Sequence, residues 1–255
     1  MGSSFGIISQ TGNNIQTKGL ILYNDPAYHK CFITESLNSF NLAVYPKWQN
    51  ASGSLTPTGS LINGVQWTSS YGGVWDFDGT DDHIQFGIPN NSSSAIFNKQ
   101  DFTIEFWFNT PLDQTYNVLW SYPDGAYPDY YVQHLRTQGA GVFFGFNEGL
   151  DTNESFNNST NLLQANKWMH VAAGSDRQNS KAFIYTHNTG SVSTYFTETT
   201  AADIEYVNAT ASVGNHQFGD FKGFIGPVRF YNRALSQEEL DQNHQAEIGR
   251  FKLWK

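Results

Sequence analysis

Asp76, Asp78, Asp81 and Asp82 place four carboxylates within seven residues of one another. Hard oxygen ligands offered from a loop suit calcium, which mixes carboxylates with backbone carbonyls. The spacing is not that of an EF-hand, because Gly79 falls at the wrong position. The same residues also read as a plain reversal, with Asp78-Gly79 forming the turn and the other carboxylates solvated or bonded to nearby amides. A second concentration of useful groups is Trp120-Ser-Tyr-Pro-Asp-Gly-Ala-Tyr-Pro-Asp-Tyr-Tyr131. Exposed rings of Trp120, Tyr122, Tyr127, Tyr130 and Tyr131 could stack on sugars while neighbouring carboxylates accept hydroxyl hydrogen bonds. They could equally form the centre of a protein interface, where Tyr and Trp are enriched, or pack over the edge of their own domain.

Catalytic constellations are harder to find. Retaining glycoside hydrolysis needs two carboxyl groups about 5–5.5 Å apart, which on one strand appear as acidic residues two positions apart. Glu105 stands alone in its strand, with Trp107 where a second carboxylate would be expected. Gly2-Ser-Ser-Phe-Gly6 fits Gly-x-Ser-x-Gly formally, but it opens a polar arm instead of a strand-to-helix elbow. Trp168 and His170 share one side of a strand, and a lone His there reads as hydrogen-bonded structure. Cys31 and His29 lack the further ligands a zinc site needs. The chain is read as non-catalytic, with no cofactor expected beyond possible calcium.

These residues must be positioned by strands. In Phe102-Thr-Ile-Glu-Phe-Trp-Phe-Asn109, Phe102, Ile104, Phe106 and Phe108 fall on one face, and Thr103, Glu105, Trp107 and Asn109 on the other. That period of two is a sheet signal. It recurs in Val142–Phe146, Trp168–Val171, Lys181–Tyr185 and Phe224–Tyr231. Asn63-Gly64 suits a two-residue hairpin, since both residues tolerate positive φ. One helix is expected after the capping box Ser236-Gln-Glu-Glu239, with Leu235, Leu240 and His244 on one face and an end before Gly249. Residues 1–18 form a polar arm, either a frayed terminus or a segment lying on a neighbouring subunit. Residues 19–255 form one domain.

Composition agrees. The 255 residues include 7 Trp, 13 Tyr, 20 Phe and 23 Gly, with only 15% charged, which favours strands and turns over helices. A net charge of −9 without any run of Lys or Arg argues against nucleic acid, whose grip needs cations to displace phosphate counterions. No apolar stretch long enough for a membrane span or a secretory h-region is present, so no membrane partner is expected.

Five segments in order resemble the LamG-like jelly roll of the concanavalin A-like lectin/glucanase superfamily. They are Gly19–Tyr23, Phe77–Asp82, Phe102–Phe108, Asn166–Ala172 and Gly226–Leu240. The resemblance implies two stacked antiparallel sheets with a binding rim, where calcium-binding relatives use Asp side chains. The family often has an acidic residue where Pro227 stands; proline removes a ladder donor, so a strand edge or bulge is expected there. Gln242–Phe251 resembles the ending of LamG-like virion proteins of tailed bacteriophages. That second resemblance implies a virion structural protein, either a capsid decoration or a tail or fibre subunit. It would be made in the host cytoplasm without a signal peptide, and would contact other virion proteins as a homo-oligomer. The alternative it leaves open is a carbohydrate-binding, lectin-like module recognising a cell-surface glycan.

Overall fold

The computed structural model describes residues 14–28, 31, 38–39, 59–87, 101–113, 115–124, 127–147, 154–159, 163–176, 178–179, 181–188, 194–198, 210–215 and 219–252. Among them the strands are β1 (Leu20–Asn24), β2 (Asn38–Ser39), β3 (Gly59–Ile62), β4 (Gln66–Thr68), β5 (Val74–Asp78), β6 (His83–Gly87), β7 (Phe102–Asn109) and β8 (Tyr116–Asp124). They continue as β9 (Tyr127–Gln138), β10 (Gly141–Asn147), β11 (Glu154–Ser159), β12 (Met169–Asp176), β13 (Lys181–Asn188), β14 (Thr194–Glu198), β15 (Thr210–Val213) and β16 (Lys222–Tyr231). A single helix, α1 (Gln237–Lys252), follows β16 among these residues.

The strands form two antiparallel sheets. The first runs β14-β13-β12-β7-β16-β5-β4, with β1 also paired to β16; the second runs β11-β10-β9-β8-β15-β6-β3-β2. The fold is therefore the all-β, two-sheet jelly-roll sandwich with one C-terminal helix that the strand pattern predicts. Strand alternation explains where the core sits. Phe102, Ile104, Phe106 and Phe108 of β7 point inward and meet Trp120, Leu135 and Phe144 of the opposite sheet. Phe102 stacks on Phe230 at 5.8 Å and meets Phe144 edge-on at 6.1 Å.

Every residue of β7 is buried, the outward ones included. The reason is a third layer: α1 lies over the outer face of the first sheet. Its buried Leu240 and Ala246 pack with Leu20, Tyr23, Tyr185 and Tyr231, and Ile248 and Phe251 pack with Val74, Trp107 and Trp168. The capping box forms as expected: the Glu239 amide donates to Ser236 Oγ (3.3 Å) and the Ser236 amide to Glu239 Oε2 (3.0 Å). The helix does not stop before Gly249; it continues to Lys252. A glycine inside a helix costs about 1 kcal/mol, whereas burying Phe251, past the glycine, returns roughly 1.5–3 kcal/mol. Packing beyond the glycine outweighs it.

Two further details follow local chemistry. Pro227 sits where the register of β16 shifts between Ile225 and Val228, and there β16 exchanges β5 for β1 as its neighbour. The missing donor thus falls at a bulge. Asn63 and Gly64 adopt positive φ (62° and 126°), but they do not close a hairpin. β3 and β4 belong to different sheets, and the turn carries the chain across the sandwich. Of the N-terminal arm, residues 1–13 lie outside the described residues. Ile15 is buried, the Gln16 amide donates to Asn243 Oδ1 (2.6 Å), and Gln242 Nε2 donates to the Asn14 carbonyl (2.7 Å). That portion rests on the chain's own helix.

Candidate functional site

The outer face of the first sheet carries a buried ionic network. Register aligns Tyr185, Ala172, Glu105, Arg229 and Tyr23 across β13, β12, β7, β16 and β1. Arg229 reaches Glu105 (3.1 Å) and Glu247 of α1, while Glu105 also accepts from His170 Nε2 (2.6 Å) and Asn243 Nδ2 (2.9 Å). Burial alone would raise the Glu105 pKa, but Arg229, His170 and Asn243 together hold it below the usual carboxylate value. Glu247 has less support: burial, reinforced by Asp25 and Glu105, pushes it up to about 7 against the pull of Arg229. Glu105 is thus not alone, as its own strand suggested; the fold pairs it with a second carboxylate through Arg229. Glu105 and Arg229 are sealed beneath α1 at 0% exposure, and Glu247 reaches in from the helix itself with its side chain 9% exposed. His170 has the hydrogen-bonded structural place expected of it.

The acidic turn between β5 and β6 lies at the sandwich rim and joins the two sheets. Carboxylate oxygens of Asp78, Asp81 and Asp82 lie within 4.8 Å of one another. Asp82 is buried and accepts from the Asp78 amide (3.0 Å), and Asp78 accepts from the Thr80 amide (2.7 Å). Burial raises the Asp82 pKa, the Asp78 amide opposes this, and neighbouring Asp78, Asp81 and Asp76 raise it further. Asp76 is not part of the converging group, contrary to the four-residue reading. It sits inside β5 opposite Gln66 and Phe224, one pleat of about 6.6 Å from Asp78.

The aromatic segment is placed differently from the sequence expectation. Trp120 and Tyr122 are core residues at 0% and 2% exposure; Trp120 stacks on Phe86 at 6.4 Å and contacts Phe230 at 5.9 Å. Their role as exposed sugar-stacking rings is therefore corrected. The Pro-Asp-Gly composition suggested a loop, but β8 extends through Asp124 and alternation turns both rings inward. Tyr127, Tyr130 and Tyr131 lie on β9, and their side chains are outside the described residues.

What the second sheet turns outward was not singled out by sequence. A transverse row Ser60–Gln85–Ser212–Ser121–His134 crosses β3, β6, β15, β8 and β9 in register. Beside it, the Arg136 guanidinium lies 4.6 Å from the Tyr116 ring centroid and 4.4 Å from that of Phe143, and His134 stacks on Phe143 at 5.5 Å and 9°. Tyr116, Arg136 and Phe143 are partly exposed, and Ser60 and Gln85 are exposed. Phe143 was legible in principle, because alternation with buried Val142 and Phe144 turns it outward. Ser121 Oγ donates to the Asn215 carbonyl (2.7 Å) and Asn215 Nδ2 to Asp220 Oδ1 (2.7 Å). Burial raises the Asp220 pKa, Asn215 opposes it, and Asp81, His83 and Asp78 are close enough to act on it. Buried Ser121 thus links the polar row through Asn215 to Asp220, which feels the charges of the acidic rim.

Comparison with known proteins follows this geometry. A laminin-G type family model, described as concanavalin A-like lectin/glucanases superfamily, matches residues 78–241. No curated protein matches the sequence. Among solved structures, the chain is similar to the CBM40 domain of Ruminococcus gnavus IT-sialidase bound to alpha2,3 sialyllactose. Identity is 16%, coverage 66% of this chain and 93% of that one, and the TM-score 0.51. It is also similar to the botulinum neurotoxin serotype D binding domain, with 12% identity, 90% of this chain, 50% of that chain and a TM-score of 0.58. A third is botulinum neurotoxin type C, whose cell entry depends on interaction with two ganglioside molecules, at 12% identity, 89% and 50% coverage and a TM-score of 0.59. The chain spans about half the length of the neurotoxin chains. No helix among the described residues is long and apolar enough to cross a membrane.

Proposed function

The chain belongs to the concanavalin A-like lectin/glucanases superfamily, and from that premise we propose a non-catalytic, lectin-like module that binds a cell-surface glycan. One observation carries this reading. The first sheet's outer face is closed by α1, whereas the second presents Tyr116, Arg136 and Phe143 beside hydroxyl and amide side chains running to the acidic rim. The two rings are partly exposed, and the guanidinium between them holds them in place. Glu105 and Glu247 are both tied to Arg229 where α1 covers the first sheet. Similarity to a sialyllactose-bound module and to a neurotoxin dependent on gangliosides supports a glycan as the ligand class. A glycan array probed with and without calcium should give binding that Phe143→Ala reduces roughly tenfold, the usual scale for truncating a central contact. Silence in both conditions, with the protein folded, would end the reading.

Calcium is part of this proposal. Asp78, Asp81 and Asp82 supply three converging hard oxygens whose mutual repulsion a divalent cation would relieve. Millimolar calcium should raise the melting temperature of the parent and leave Asp78→Asn/Asp81→Asn unmoved; no shift in the parent would remove calcium from the account.

A place in a phage particle, with other virion proteins or further copies as partners, takes second rank. The segment that suggested it, residues 242–251, turns Asn243, His244, Ala246 and Ile248 onto the chain's own first sheet. Those side chains present no surface to a particle.

A further inference from the structure

We infer that Trp67 and Tyr28 form a second stacking site, for a neutral pyranose ring, at the β4 edge of the first sheet; this rests on the glycan-binding reading above. Trp67 and Tyr28 are the large apolar side chains left exposed among the described residues, at 39% and 38%. They come from distant segments yet occupy one corner. Trp67 Nε1 donates to the carbonyl of buried Pro26 (2.9 Å), and Tyr28 closes the same turn, its amide donating to the Asp25 carbonyl (3.1 Å). The indole is thereby anchored by its polar edge, so a ligand need not freeze a mobile ring on binding.

The surroundings define the ligand chemistry. Gln66 and Thr68 alternate to the other face of β4, and the indole is followed along the chain by exposed Ser69 and Ser70, whose hydroxyls are uncharged. The charges nearest the turn cancel internally: Arg250 Nη1 reaches Asp25 Oδ1 at 2.8 Å, and Asp25 is buried. A neutral ring with one apolar C–H face and several hydroxyls matches an anchored, exposed indole with uncharged hydroxyls next along the chain. A protein partner matches less well. β4 has three residues, and two rings do not approach the roughly 1,000 Å² that a specific protein interface needs.

The test uses the whole chain labelled at tryptophan indole nitrogens and titrated with cellohexaose, maltohexaose, mannohexaose and xylohexaose. The expected result is that the Trp67 indole resonance moves with at least one hexaose. Trp67→Ala should weaken that binding about tenfold in a protein that still unfolds cooperatively, with a modestly lowered melting temperature from the lost Pro26 hydrogen bond, and Trp67→Phe should recover part of the binding. If no hexaose moves the Trp67 indole, the inference is overturned. Should glycan binding then still be lost in Phe143→Ala, the face on the second sheet stands without it; should no glycan bind anywhere, both readings fall together. Movement of Trp67 that Phe143→Ala leaves intact supports the β4 site.

Discussion

Arg229→Leu is expected to cost the fold about 3–5 kcal/mol at pH 7, the scale for removing one partner of a buried ion pair. Arg229 is the cation that Glu105 and Glu247 share; Glu105 and Arg229 are buried beneath α1, and Glu247 projects from the helix onto them. Without it, a fully buried carboxylate and a nearly buried one remain without their cation, with His170 and Asn243 serving only Glu105. The deficit should shrink between pH 7 and pH 5, because Glu247, already pushed up to about 7 by burial, can discharge by taking a proton. Replacing Arg229, Glu105 and Glu247 together by apolar residues should cost far less, since no charge is then stranded. Denaturant midpoints measured at both pH values check this. A loss under about 1 kcal/mol for the single variant would mean that the network is not what fastens α1 to the sheet.

The second large effect concerns acid. His244 is fully buried, stacked on Trp107 at 4.9 Å and lying 3.5 Å from the His187 ring and 5.5 Å from that of His170. Neither ring nitrogen has a hydrogen-bond partner. Burial first, then His170, His187 and Lys252, drive its pKa far below the ordinary 6.5. The fold therefore excludes a proton that the unfolded chain accepts. Its stability contribution is complete above about pH 6.5 and is lost by about 1.4 kcal/mol per unit as pH falls.

Glu247 acts oppositely. Its folded pKa is raised from 4.5 to about 7, so the fold gains stability as pH drops through that window. By the same linkage the two slopes cancel to within about 1 kcal/mol between roughly pH 6.5 and 4.5. Below that, His244 continues to cost, and Glu105, whose pKa is lowered, adds to the loss. His244→Phe keeps a ring against Trp107 and removes the proton site. The variant should gain about 2 kcal/mol between pH 7 and pH 5 where the parent stays flat, and exceed the parent by about 3 kcal/mol near pH 4. Parallel pH–stability curves for the two proteins would refute the assignment.

Much of the architecture is visible in local sequence because its cause is local. The alternation in Phe102–Asn109, the Ser236/Glu239 cap and the bulge at Pro227 each depend on neighbours within a few residues. The features that were hidden join distant residues. Nothing near Glu105 announces Arg229 or Glu247, 124 and 142 positions on, and their meeting requires sheet register and the placement of α1. Asn63-Gly64 has the φ values its composition implies, but whether such a turn closes a hairpin or crosses the sandwich depends on which sheet receives the next strand. The aromatic segment failed for a related reason. Pro, Gly and Asp marked a loop, yet the alternation Trp120, Tyr122 was the stronger signal and pointed inward.

The central claim is that the second sheet's outer face and its acidic rim form the recognition surface. Chemical-shift mapping with an array-identified glycan tests this most directly. The account predicts perturbations concentrated at Tyr116, Arg136, Phe143, Gln85 and the turn from Asp78 to His83, with the α1 layer silent. Perturbations confined to α1 and the first sheet around Glu105 and Arg229, or reducing sugar released from a β-glucan there, would contradict it.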